Sequence, residues 1–132
     1  MGHFEFGLDR RPINTGDQTR TEQIIELWDS NDSVRGWARY WSDLYSHVAD
    51  RLDENSNLAA ASLIIRYEDL CQSSDETINR TVSHCALKTD PSVIAEFSAR
   101  LTLPEYYRPS FSDEELTIIA EETRTAASRF GY

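Results

Sequence analysis

The stretch that decides the predicted fold is Leu63-Ile64-Ile65-Arg66-Tyr67-Glu68-Asp69-Leu70. Its first part is apolar at every position and rich in β-branched residues, which indicates a strand covered on both faces. We therefore predict a central strand over residues 62–67, followed by a polar turn and a helix. Ligands bind at the carboxyl ends of strands in open α/β sheets, so the polar residues after Ile65 mark the expected ligand edge.

Length and composition narrow the class of protein. The 132 residues suffice for one domain at most, and the formal net charge is −10. The basic residues are scattered, so we expect no nucleic-acid partner. No window approaches about 18 consecutive apolar residues, so we expect no membrane span. Cys71 and Cys85 lack a CxxC partner and no secretory signal precedes them, which favours a cytoplasmic protein with reduced thiols.

Helical spacing of apolar residues predicts two successive helices, over residues 21–29 and 34–52. The second is strongly amphipathic. Its apolar stripe consists of Val34, Trp37, Trp41, Leu44, Val48 and Leu52, and its opposite face carries Arg35, Arg39, Asp43, Ser46 and Asp50. We interpret the aromatic stripe as core packing, with a cofactor-binding face as the alternative.

Three further helices are predicted from start signals. The signals are the capping-box pairs Ser73/Glu76 and Ser112/Glu115, and Asp90 followed by Pro91; Gly131 is the expected left-handed cap of the last helix. The expected buried residues are Ile78, Val82 and Cys85, then Val93, Ile94, Phe97 and Leu101, then Leu116, Ile119, Thr123, Ala126 or Ala127, and Phe130.

The N-terminal region carries only weak signals of secondary structure. Residues 4–8 alternate weakly as a strand does, and residues 1–20 are otherwise expected to be a poorly ordered segment. The predicted fold class is thus an α/β fragment, mostly helical, with about five helices and one or two strands. We treat residues 1–132 as a single partial domain.

The predicted central strand needs hydrogen-bonding neighbours on both edges. Buried unpaired backbone groups cost about 1 to 3 kcal/mol each. Only residues 4–8 could supply a neighbour within this chain. The strand therefore pairs with another polypeptide, or lies at a surface edge, or belongs to a larger α/β domain encoded upstream.

The block of residues 63–71, followed by Asp75, Thr77, Ile78, Arg80, His84 and Leu87, resembles the C-terminal half of a known family. This is the family of bacterial-type sulfotransferases that use 3'-phosphoadenosine 5'-phosphosulfate (PAPS). The aromatic segment at residues 37–41 is similar to the part that precedes the strand, and residues 106–132 are similar to the C-terminal helix of bacterial members. The resemblance covers about three quarters of the chain.

The resemblance implies a P-loop-kinase-like parallel sheet and PAPS as cofactor. It implies that Tyr67 contacts the adenine of the donor and that Arg108 lies near the donor's 3'-phosphate. The family's phosphate-binding loop is absent from this sequence, as is the Arg-Lys-Gly sequence of many animal members. The alternative for Tyr67 is a core tyrosine with a satisfied hydroxyl.

No residue of this chain is assigned a catalytic or metal-binding role. Glu68 and Asp69 would point to opposite faces of a strand, which favours structural caps or arginine partners over an acid–base pair. His3, His47 and His84 are each placed unfavourably for a general base.

Two hypotheses of different classes follow. In the first, the chain is the C-terminal portion of a sulfotransferase that transfers a sulfuryl group from PAPS to a hydroxyl or amine, inactive alone, with the missing N-terminal half as its partner. In the second, it is a non-enzymatic acidic helical module for protein interaction or oligomerisation, which docks another copy or another protein through the aromatic helix or the strand edge.

Overall fold

The computed structural model describes residues 10–105 and 110–132, and every regular element in these residues is an α-helix. The helices are α1 (Gln18–Asp29), α2 (Ser33–Glu54), α3 (Ser56–Ala61), α4 (Tyr67–Gln72), α5 (Ser74–His84), α6 (Pro91–Ser98) and α7 (Asp113–Arg129). The described residues divide into two compact units: unit 1 comprises residues 10–56 and 110–132, and unit 2 comprises residues 57–105. The mostly helical character is confirmed; a single partial domain over residues 1–132 stays a prediction.

The core of unit 1 is an aromatic cluster between α1 and α2. Ile24, Trp28 and Tyr40 are buried, and Trp37 packs against them. The ring centroid of Trp28 lies 4.3 Å from that of Trp37 and 5.3 Å from that of Tyr40, the latter edge-on. These are favourable aromatic geometries. The interpretation of the α2 stripe as core packing is therefore confirmed for Trp37 and Leu44, whereas Val48 is 47% exposed.

Ion pairs join α2 to α7. Arg35 and Arg39 both donate to the carboxylate of Glu122, at 2.7 and 2.9 Å. Arg129, at the other end of α7, binds two carboxylates of α2, those of Asp50 and Asp53. The face of α2 expected to be merely polar is thus the one that α7 covers, because opposite charges on the two helices pair.

Residues 10–17 lie against this core. The backbone amide of Ile13 donates to the Tyr40 hydroxyl at 3.0 Å, and Arg10 donates to the carbonyl of Trp28 at 3.2 Å. Asp17 then caps α1 by accepting from the amide of Arg20. The segment expected to be poorly ordered, residues 1–20, therefore makes defined contacts from residue 10 onward, whereas the weak strand at residues 4–8 lies outside the described residues.

The predicted helix caps are confirmed at α6 and α7 but not at Ser73. At α7 the capping box is confirmed, since Ser112 Oγ accepts from the amide of Glu115 and the Glu115 carboxylate accepts from the amide of Ser112. The Asp90 cap of α6 and the left-handed Gly131, with a φ of 81°, are also confirmed. At Ser73 the capping box is wrong: the residue also ends α4, and its side chain makes no cap hydrogen bond.

These two serines give a matched prediction. Ser112→Ala removes an acceptor for an otherwise unpaired helix amide, so we expect it to lower the free energy of unfolding by about 1 kcal/mol. Ser73→Ala removes no cap bond and should change it by less than about 0.5 kcal/mol. Thermal unfolding followed by circular dichroism measures both. Equal losses for the two variants would contradict the assignment of the caps.

The predicted central strand over residues 62–67 is wrong. Residues 62–66 form neither helix nor strand, and Tyr67 already begins α4. Within the described residues no backbone–backbone hydrogen bond is made by Leu63, Ile64 or Ile65. Glu68 and Asp69 occupy the first turn of α4, where negative charge favours a helix start.

Unit 2 leaves much of its apolar surface open. Its buried residues are Thr77 and Ile94. Val93 is 41% exposed, Phe97 is 53% exposed and Cys85 is exposed, so the prediction that these three side chains are buried is wrong. In unit 1, Ala126 is fully buried as expected, but Leu116 is 50% exposed.

Candidate functional site

The candidate site lies at the start of α4. Tyr67 is the first residue of the helix, and 51% of its surface is exposed. The alternative of a core tyrosine is therefore wrong. A half-exposed phenol ring at a helix start offers a flat apolar surface to a ligand.

The neighbouring residue Arg66 fixes this turn. Its Nε donates to Oδ2 of Asp69 at 2.8 Å and its Nη2 donates to Oδ1 at 2.7 Å. This two-bond geometry is the strong form of an arginine–carboxylate pair. The hydrogen bonds from Arg66, with a smaller contribution from the charge of Arg80, hold the pKa of Asp69 below its ordinary value of 3.8. Asp69 is thus an ionised structural group, and the predicted arginine partner is confirmed for this carboxylate.

A buried hydroxyl ties α4 to α5. Thr77, which is 2% exposed, donates through Oγ1 to the backbone carbonyl of Asp69 at 3.2 Å. The same carbonyl accepts from the amide of Ser73 at 2.8 Å. The first turn of α4, which carries Tyr67, is therefore held by the end of α4 and by α5.

Side chains of α5 also hold the segment before Tyr67. Arg80 donates through Nη2 to the carbonyl of Ile64 at 3.4 Å, and His84 Nε2 lies 3.2 Å from the carbonyl of Ala61. The first contact binds a carbonyl of the predicted strand, and the second binds the last carbonyl of α3. Residues 62–66 are thus supported by helix side chains along one side.

The other predicted site residue cannot be placed. Arg108 lies outside the described residues, as does His3. His47 belongs to α2 in unit 1, and Cys71 and Cys85 are free thiols of unit 2. Across residues 10–105 and 110–132, no group of three or more His, Cys, Asp or Glu side chains could hold a metal ion. No helix in that part of the chain is sufficiently long and apolar to cross a bilayer.

Sequence reasoning missed two contributors, Arg66 and Arg80. Both were quoted in the sequence pattern, but the partner of Arg66 depends on residues 67–72 being helical, and that of Arg80 depends on the packing of α5 against residues 62–66. At the start of a helix, residues 66 and 69 share a face and can pair, whereas the predicted strand ended at residue 67 and left Asp69 in the turn that followed it. The signal was the spacing of Arg66 and Asp69 together with the acidic first turn.

The site combines an exposed aromatic ring with arginine side chains. A purine ring stacks on an aromatic face, and guanidinium groups bind phosphate oxygens. Arg80 is exposed, with one hydrogen bond of 3.4 Å to a carbonyl. Comparisons with known proteins found no matching family model, no matching curated protein and no matching solved structure.

Proposed function

We propose that this chain is the C-terminal portion of a PAPS-dependent sulfotransferase, that Tyr67 contributes the adenine-binding surface of the donor site, and that the chain transfers no sulfate alone. The observation that supports the proposal is the exposed ring of Tyr67 on a turn held by Arg66–Asp69 and Thr77. Because the backbone of this turn is held, Tyr67 would lose little backbone freedom when a base stacks on its ring.

Sulfuryl transfer requires further groups besides an adenine-binding surface. The acceptor's oxygen or nitrogen would attack the sulfur atom and give its proton to a base, while the bond between sulfur and the 5'-phosphate oxygen breaks and adenosine 3',5'-bisphosphate leaves with the electron pair. The donor's phosphates therefore need cationic or backbone N–H donors, and the acceptor needs a base. Arg80 fits a phosphate contact, but the described residues offer no glycine-rich phosphate loop. In our proposal the N-terminal half supplies that loop and the base.

The proposal is tested with adenosine 3',5'-bisphosphate, the compound that remains after PAPS has transferred its sulfuryl group. We expect calorimetry or ligand-observed NMR to give a dissociation constant in the millimolar range. Tyr67→Ala should weaken binding by about tenfold or more, the loss expected for one stacked base. Tyr132→Ala, which removes an exposed tyrosine of unit 1, is the matched control and should bind as the wild type does.

Two outcomes would overturn this assignment. One is binding that Tyr67→Ala leaves unchanged, because the ring would then not touch the nucleotide. The other is an absence of wild-type binding at millimolar ligand, with circular dichroism showing a folded protein.

The exposed apolar residues of unit 2 favour a second candidate, a protein-interaction or oligomerisation module. Val93 and Phe97 of α6 leave apolar area in water that a partner would cover. A module of this kind would bind its partner equally well with and without the nucleotide, which separates the two candidates.

A further inference from the structure

We draw no further inference here: the strongest candidate, the polar cavity of unit 2 between the start of α5 and α6, which Ser73, Asp75 and Ser98 help to line, rests on a helix N-terminus with no second feature among the described residues that points to a ligand, because the unpartnered hydroxyl oxygen of Ser98 is itself closed to solvent.

Discussion

Gly36→Ala is expected to destabilise unit 1, although alanine is the better helix former. A β-carbon at Gly36 would lie 2.8 Å from Cδ1 of Trp28, 3.0 Å from Cβ of Leu27 and 3.3 Å from the backbone nitrogen of Trp28. Trp28 is 3% exposed and cannot move aside without disturbing the aromatic cluster. Overpacking costs about 3 kcal/mol in such a core, whereas the gain in helix propensity is about 1 kcal/mol.

The net loss in the free energy of unfolding should therefore be about 2 kcal/mol, measured by chemical denaturation. Thr125→Ala, at an exposed position in the C-terminal half of α7, is the control. It should raise stability by a few tenths of a kcal/mol, since nothing obstructs the added propensity. Unchanged or increased stability in Gly36→Ala would contradict the close approach of α1 to α2.

Glu122→Gln is expected to have a comparable effect on the contact between α2 and α7. Glu122 is 16% exposed and binds both Arg35 and Arg39, so its neutralisation leaves two guanidinium groups with a weaker acceptor. Breaking a buried ion pair costs about 3 to 5 kcal/mol and an exposed one at most about 1 kcal/mol. For this half-buried group we expect a loss of about 2 kcal/mol at neutral pH.

The stability contributed by Glu122 should depend on pH in a defined direction. Hydrogen bonds from Arg39, followed by those from Arg35, hold the pKa of the folded Glu122 below its ordinary value of 4.5. The contribution is therefore fully present above about pH 4.5 and is lost as the pH falls through the lowered pKa. The difference in unfolding free energy between wild type and Glu122→Gln should shrink over that window.

The adjacent Glu121 is the matched control because it lies on the same helix and is exposed. Glu121→Gln should change stability by less than about 0.5 kcal/mol at any pH. If the two glutamate variants behaved alike, the three-residue ion cluster would not be what holds α7 to α2.

The helices with strong periodicity or capping signals could be predicted from sequence. The aromatic face of α2, the Asp90–Pro91 start of α6 and the Ser112 box of α7 each depend on residues close together in the chain. The interactions behind these features join residues that are close in sequence, so the sequence pattern alone predicts them. The contact of α7 with the charged face of α2 depends on residues more than eighty positions apart, such as Arg39 and Glu122, and no local pattern reveals it.

The prediction of a strand over residues 62–67 was wrong for a related reason. A short apolar run has the same appearance in a buried strand and in an irregular segment, and only a neighbouring strand decides between them. The described residues supply no neighbour, so the run stays irregular and the helix starts at Tyr67. At the candidate site the sequence correctly indicated Asp69 as an arginine partner, and Tyr67 as a site residue stays a prediction. The roles of Arg80 and Thr77 arise from the packing of α5.

The central claim, that Tyr67 marks a nucleotide-binding surface, is tested most directly by locating the ligand. Adenosine 3',5'-bisphosphate is titrated into ¹⁵N-labelled protein, and the amide resonances are followed. The account predicts shifts concentrated at residues 64–70 and around Arg80, and lost in Tyr67→Ala. Shifts confined to unit 1, or unchanged in Tyr67→Ala, would contradict it.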